Sequence, residues 1–130
     1  MPASPDAAID YERLMQANLT RVFGERDAAR RLQAIRALYA DDAVLNEPHA
    51  SVRGHAAIGE AVTALLASLP PTFVFTAAAP ASGHHGIGRL RWHAGPVGGP
   101  VAVTGMDIAQ IEDGRIRTLT VFVDGPPAQE

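Results

Sequence analysis

Residues 38–48 read LYADDAVLNEP, and this stretch joins the end of an amphipathic helix to a short apolar strand predicted over residues 43–47. The strand ends with an acidic residue, Glu47, directly before Pro48. An acidic side chain in such a strand has two interpretations. It either faces an enclosed space, where burial makes a carboxyl group a useful acid or base, or it lies solvated at the sheet edge.

Composition and length limit the class of protein. The chain has 130 residues, 47% of them hydrophobic, so we expect a single domain, residues 1–130, with a substantial core. A formal charge of -3 and scattered arginines argue against a nucleic-acid partner, which requires a basic stripe. The absence of cysteine excludes disulfides, thiolate metal sites and a cysteine nucleophile. With no signal-peptide pattern and no run of about 20 apolar residues, we expect a cytoplasmic protein without a membrane partner.

Apolar residues recur at helical spacing in the first half of the chain. They predict a helix over residues 9–23, a second over residues 28–39 with Asp27 as its N-cap, and a third between Gly54 and Pro70. Three arginines of the second helix are expected to point to solvent: Arg30, Arg31 and Arg36. The tails, residues 1–6 and 125–130, are expected to be disordered, which leaves an ordered core at residues 9–124.

The second half changes to segments rich in β-formers, separated by Gly and Pro. Strands are predicted over residues 72–78, 86–94, 101–111 and 116–123, with turns at 81–85 and 95–100. The turn at residues 112–114, Glu-Asp-Gly, is a strong hairpin signal because glycine tolerates a positive φ. These strands should form an antiparallel sheet with helices on one face, so the fold class is α+β.

Three segments carry a resemblance to a known family. LYADDAVLNEP at residues 38–48, VRGHAAIGEAV at 52–62 and VTGMDIAQIEDGRIRTLTVFVD at 103–124 resemble the nuclear transport factor 2-like superfamily, particularly its SnoaL-like branch. The resemblance implies a cone-shaped fold in which three N-terminal helices pack on a curved antiparallel sheet. It also implies a pocket for a small apolar or partly oxygenated molecule, and a homodimer that pairs through the convex sheet face.

The resemblance points to candidate site residues on two strands. Glu47 occupies the position at which ketosteroid isomerases carry their general base. Arg91 and His93 lie two residues apart, as do an Arg and an Asp of limonene epoxide hydrolases, and the strand period of two puts both side chains on one face. The alternative is that Arg91 and His93 belong to the polar face of a half-exposed strand, with its other residues inside: Gly88, Leu90, Trp92 and Ala94.

Asp107 is the fourth candidate. It shares a strand face with Val103 and Ile111, so it is the single charge on an otherwise apolar face. SnoaL-like cyclases use an Asp near this place as an acid or base. A lone charge in this setting usually has a partner, and we expect that partner to be His93 or Arg91, either for catalysis or as a structural ion pair.

We therefore predict a small-molecule pocket protein that performs acid/base catalysis without a cofactor, such as isomerisation, dehydration or cyclisation. The predicted catalytic residues are His93, Asp107, Glu47 and Arg91, with His93 or Asp107 as the base and Arg91 steadying negative charge. No metal is expected, because adjacent histidines such as His84 and His85 rarely reach one ion. The alternative is a non-catalytic ligand-binding or dimerisation module.

Overall fold

The computed structural model describes residues 9–124, so the tails predicted to be disordered lie outside the described part of the chain. Three helices and a curved sheet make up this part, which confirms the predicted α+β class. None of its helices has both the length and the apolar character needed to cross a membrane.

The three helices begin at local signals in the sequence. Helix α1, Tyr11–Ala17, starts at Asp10, whose side chain accepts from the Arg13 amide at 3.0 Å, and it continues as a π-helical segment, Asn18–Phe23. Helix α2, Ala28–Leu38, starts at the predicted N-cap Asp27. Helix α3, His55–Ala67, follows Gly54, whose φ of 91° is readily adopted only by glycine.

The prediction that Arg31 points to solvent is wrong. Its side chain is buried between α2 and α3, where the guanidinium donates to the Glu25 carbonyl and, at 2.5 Å, to the Thr63 hydroxyl. Desolvation lowers the pKa of this guanidinium. Polar acceptors on neighbouring elements therefore allow a charged residue to occupy a core-facing position of the helix.

Within residues 9–124 the chain forms a sheet of seven strands. They are β1 Tyr39–Glu47, β2 Ala50–Arg53, β3 Phe73–Ala77, β4 Ser82–His84, β5 Ile87–Pro96, β6 Val103–Glu112 and β7 Arg115–Val123. The order is β2-β1-β7-β6-β5-β3, and β4 pairs with β5. The pairs are antiparallel except β1 with β7, which is parallel, so the sheet is mixed where a purely antiparallel one was predicted.

Two local predictions differ from the structure. Tyr39 opens β1 instead of ending helix α2, because its backbone is already extended and its hydroxyl donates to buried Asn18 at 2.5 Å. The predicted turn at residues 81–85 contains strand β4, which is closed onto β5 by a tight turn with positive φ at His85 and Gly86.

The two faces of the sheet differ in what they contact. We call the face toward the helices the inner face and the opposite one the outer face. On β5 and β6 the buried residues alternate with more exposed ones, as the strand period of two requires. The inner face of these two strands carries Gly88, Leu90, Trp92, Ala94, Gly105, Asp107, Ala109 and Ile111.

Candidate functional site

A cavity of about 640 Å³ lies at the inner face of the sheet and is also lined by residues of the helices. Most of its wall is apolar or aromatic. The ionisable side chains that reach it, among residues 9–124, are Glu47, His49, Asp107 and Asp124. A concave, largely apolar site with a few polar groups is typical of small-molecule binding.

The helical side of the cavity is built by the π-helical segment and the end of α3. Leu19 and Phe23 of the π-helical segment line the cavity, and Leu65 and Leu69 line it from α3 and the residues that follow. Arg26 braces this wall, because its guanidinium donates to three backbone carbonyls of the same region at 3.1–3.3 Å: those of Leu66, Pro70 and Phe73.

Asp107 is the most deeply buried charged group of the cavity. Its side chain lies on the inner face of β6 and is 2% exposed. Its Oδ1 accepts a hydrogen bond from the indole Nε1 of Trp92 at 2.9 Å. Burial raises the pKa of Asp107 to about 7, and the hydrogen bond from Trp92 offsets part of that rise. Near neutral pH this carboxyl group can therefore either donate or accept a proton.

Gly105 determines where the Trp92 ring lies. The two residues are cross-strand partners, and a Cβ added at Gly105 would be 2.3 Å from Cζ2 of Trp92 and 2.4 Å from the carbonyl oxygen of Phe122. The indole therefore packs directly over the backbone of β6, which lets its Nε1 reach Asp107 on the same strand.

A second buried polar pair lies at the start of β1. Tyr39, fully buried, donates its hydroxyl hydrogen to Oδ1 of Asn18, and Nδ2 of Asn18 has no partner in the described part of the chain. Burial, together with the carboxyl group of Asp107, keeps the pKa of Tyr39 well above that of a free phenol. Tyr39 is therefore a neutral neighbour of Asp107.

Glu47 reaches the cavity from the end of β1. Asn46 pairs with Thr120 in the parallel ladder, and the next residue of β7, Val121, pairs with Asp107. Glu47 and Asp107 thus lie at the same level, on either side of Val121. With strands spaced about 4.8 Å apart, their backbones are separated by roughly 10 Å, which is a span that a small molecule can bridge.

Comparison with known proteins identifies the family. The sequence profile of the SnoaL-like domain matches residues 19–119. The chain belongs to the SnoaL-like family. No curated protein matches the chain in sequence.

Solved structures share the fold of this SnoaL-like chain. A candidate isomerase of the SnoaL-like family from Agrobacterium tumefaciens is 23% identical, with a TM-score of 0.81 over 88% of this chain and 97% of that one. A candidate ketosteroid isomerase from Kribbella flavida is 15% identical, with a TM-score of 0.70 over 92% and 82%. A candidate polyketide cyclase from Sinorhizobium meliloti is 19% identical, with a TM-score of 0.64 over 84% and 93%. At these identities the likeness establishes the fold alone.

The structure of this SnoaL-like domain divides the four predicted site residues into two groups. Glu47 and Asp107 line the cavity, whereas Arg91 and His93 do not. Trp92 lies on the inner face of β5, so its neighbours Arg91 and His93 point to the outer face. Arg91 and His93, predicted as catalytic residues, therefore lie outside the lining of this cavity, on the half-exposed strand face that was the alternative interpretation.

The partner expected for Asp107 is also different. Asp107 pairs with neither His93 nor Arg91. Its partner is Trp92, because the inner face of β5 carries the indole. His93 is the cross-strand partner of Thr104. Arg91 instead meets Asp124, with 3.5 Å between Nη1 and Oδ2, at the rim of the cavity.

Three lining residues that carry a polar side-chain group were not predicted as site residues: Trp92, His49 and Asp124. Trp92 carries a signal in the sequence, because it has the inward strand parity that places its indole near Asp107. His49 and Asp124 have no such signal, since each belongs to a segment after the end of a strand. Elsewhere, His84 and His85 contact each other through their Nδ1 atoms at 2.8 Å, and residues 9–124 contain no group of three metal-binding side chains.

Proposed function

We propose that this SnoaL-like domain binds a small, largely apolar and partly oxygenated molecule in the cavity and catalyses proton transfer on it without a cofactor. The observation that carries the proposal is the buried carboxyl group of Asp107, held by Trp92 and facing the same cavity as Glu47. Isomerisation, dehydration and cyclisation are the reaction classes that two such carboxyl groups can serve.

The two carboxyl groups differ in environment, which is the basis for dividing acid and base roles. The buried group, Asp107, has a pKa of about 7 and holds its proton through much of the neutral range. We assign it as the acid, which donates to a ligand oxygen. Glu47 is half-buried at the end of β1 and is assigned as the base. Arg91 and His93 have no role in this assignment because they lie on the outer face.

On a ketone the two carboxyl groups act together to form an enol. Glu47 removes a proton from the carbon next to the carbonyl, and the C–H electron pair forms a carbon–carbon double bond. The carbonyl π pair moves to oxygen, which takes the proton of Asp107. On a β,γ-unsaturated ketone, Glu47 then returns its proton to the γ-carbon while Asp107 takes back the enol proton, which gives the conjugated isomer. On a β-hydroxy ketone, Glu47 gives its proton to the hydroxyl group, which leaves as water while Asp107 takes back the enol proton, and this gives the dehydrated product.

The proposal is tested by proton exchange on a simple probe, tetralone, in deuterium oxide. We expect the protein to accelerate deuterium incorporation next to the carbonyl by about 100-fold or more over buffer, measured by NMR. Glu47→Gln and Asp107→Asn should reduce the rate to that of buffer, while the matched control His93→Ala keeps it. The rate should fall as the pH rises through about 7, since Asp107 then loses the proton it donates.

The competing function is a non-catalytic binding module. It predicts that tetralone binds in the cavity, as shown by calorimetry, without any exchange above the buffer rate. Exchange that survives in both Glu47→Gln and Asp107→Asn would contradict the catalytic assignment in a different way, because the reacting groups would then lie elsewhere.

The homodimer implied by the family stays a prediction. The outer face of the sheet exposes apolar side chains that a partner could cover, among them Ile87 and Phe122. We expect a dimeric mass at micromolar concentration by light scattering. A monomeric mass would contradict this assembly without affecting the cavity.

A further inference from the structure

The charges that line the cavity are not balanced. Carboxylates of Glu47, Asp107 and Asp124 reach it, whereas no arginine does among residues 9–124, and the chain has no lysine. Asp124 is matched at the rim by Arg91. Glu47 and Asp107 form no ion pair within the described residues. An anionic ligand would meet repulsion here, while a cation would supply the missing charge.

Asp107 has an oxygen that is free to bind such a cation. Its Oδ1 is occupied by Trp92, but its Oδ2 makes no hydrogen bond to any residue in the range 9–124. The residue is 2% exposed, and its Oδ2 is not among the fully buried atoms without a partner in the described part of the chain, so a molecule in the cavity can reach this oxygen. A carboxylate in this setting is costly unless a donor satisfies it.

Among the residues that the structure describes, none of the groups around Asp107 is a cation. Tyr39 on β1 gives its hydroxyl hydrogen to Asn18, the indole of Trp92 on β5 already donates to Oδ1, and β7 presents Val121. The other ionisable groups of the cavity are acidic, apart from His49. A ligand in the cavity can therefore supply the charged donor for Oδ2 that the described residues lack.

The wall of the cavity beside Asp107 is also suited to a positively charged ligand. Phe23, Phe75 and Trp92 form a continuous aromatic row, with ring centroids 6.3 Å and 5.7 Å apart, and all three line the cavity. Aromatic faces carry negative electrostatic potential, and they attract a nearby cation by about 0.5–2 kcal/mol.

We propose that the ligand of this cavity is an apolar amine whose protonated nitrogen donates to Oδ2 of Asp107 and whose body packs against the aromatic row. This inference rests on the proposed function for the position of the ligand, and it adds the chemical class of the group that anchors it. With the nitrogen held at Asp107, the rest of the molecule extends toward Glu47, which stays the base. For such a ligand the ammonium group held by the Asp107 carboxylate is the proton donor, in place of the protonated Asp107 that serves a neutral ketone.

The proposal fixes the pH dependence of binding. An ammonium group requires Asp107 as the carboxylate, so below the pKa of about 7 binding must first release the carboxyl proton. Affinity for an amine should therefore rise about tenfold per pH unit up to pH 7 and level off above it. A neutral alcohol that accepts from protonated Asp107 shows the opposite trend.

The test is isothermal calorimetry of the full chain with three probes of one shape, naphthylmethylamine, naphthylmethanol and naphthoate. We expect the amine to bind about tenfold or more tightly than the alcohol at about pH 8, and to lose that preference at about pH 5.5. Naphthoate should bind weakest at pH 8. Asp107→Asn should abolish both the preference for the amine and its pH dependence, whereas the outer-face control His93→Ala keeps them.

Three other outcomes of the calorimetry would contradict the amine proposal. Equal or tighter binding of the alcohol at pH 8 overturns the amine proposal and leaves the cavity as the ligand site. A preference for the amine that survives in Asp107→Asn also overturns it, because the anchor then lies elsewhere. If none of the three probes binds while tetralone still exchanges, this inference fails alone; if tetralone exchange is also absent, the proposed function fails with it. The pH profile of the unaltered protein decides the question even if the variant does not fold.

Discussion

The inner and outer faces of the β5–β6 ladder place their ionisable groups in different environments, one enclosed and the other open to water. On the inner face, Asp107 is enclosed, has one hydrogen bond from Trp92, and has its pKa raised to about 7. On the outer face, Arg91 is half-exposed and meets Asp124 at 3.5 Å, with both side chains open to water. The difference shows that the direction of a side chain from the strand, rather than its charge, decides whether it reaches the cavity.

Asp107→Asn tests the inner face and should have the largest effect. A carboxyl group ionises near pH 4 when unfolded and at about 7 here, so the folded state holds a proton that the unfolded state has lost. Between about pH 4 and pH 7 the free energy of unfolding of the parent protein therefore falls as the pH rises. The pKa difference of about three units corresponds to a fall of about 4 kcal/mol, and above pH 7 the free energy of unfolding stays level. Its contribution to stability is thus present at acid pH and lost above 7.

Asparagine does not titrate, and its side-chain carbonyl can still accept from Trp92. We therefore expect the free energy of unfolding of Asp107→Asn, measured in urea, to rise relative to that of the parent by up to about 4 kcal/mol between about pH 4 and pH 8. The rim variant Asp124→Asn is the control and should show less than about 1 kcal/mol. A parent whose stability does not change over this range would show that Asp107 is not protonated in the folded state.

The packing on the inner face is tested by two glycine substitutions. Gly105→Ala places a Cβ 2.3 Å from the Trp92 ring, so it should cost about 1–3 kcal/mol and displace the indole from Asp107. Gly59→Ala, on α3, meets its nearest atoms at 3.7 Å and 3.8 Å and should stabilise by about 0.5–1 kcal/mol. Urea unfolding followed by fluorescence of the lone tryptophan measures both. Equal stability of the two variants would contradict the close contact.

The outer face should give the smallest effect. Arg91→Ala removes a half-exposed ion pair, which is worth about 0–1 kcal/mol, and His93→Ala removes a half-buried ring without a hydrogen bond among the described residues. We expect both variants to unfold within about 1 kcal/mol of the parent, with the midpoint of the Asp107 titration, followed by NMR of its carboxyl carbon, unchanged. A shift of that midpoint in either variant would show that the two faces are coupled.

Much of the fold could be predicted from residue patterns, and the site only in part. Helix starts such as Asp27 and the Asp113-Gly114 turn depend on local chemistry, and the structure has them where predicted. The parallel pairing of β1 with β7 depends on contacts distant in sequence, which no local pattern shows. Asp107 could be singled out because its strand neighbours are apolar. Its predicted partner, His93 or Arg91, follows from charge alone, whereas strand parity favours Trp92.

The place of β7 in the sheet has a consequence for biosynthesis. This strand is the last element of the described chain, yet it lies between β1 and β6 and pairs with both. Until it leaves the ribosome, residues 39–47 have no neighbour on that side, and Glu47 and Asp107 belong to separate pieces of sheet. A nascent chain that stops before Arg115 should therefore expose apolar strand edges to chaperones and proteases.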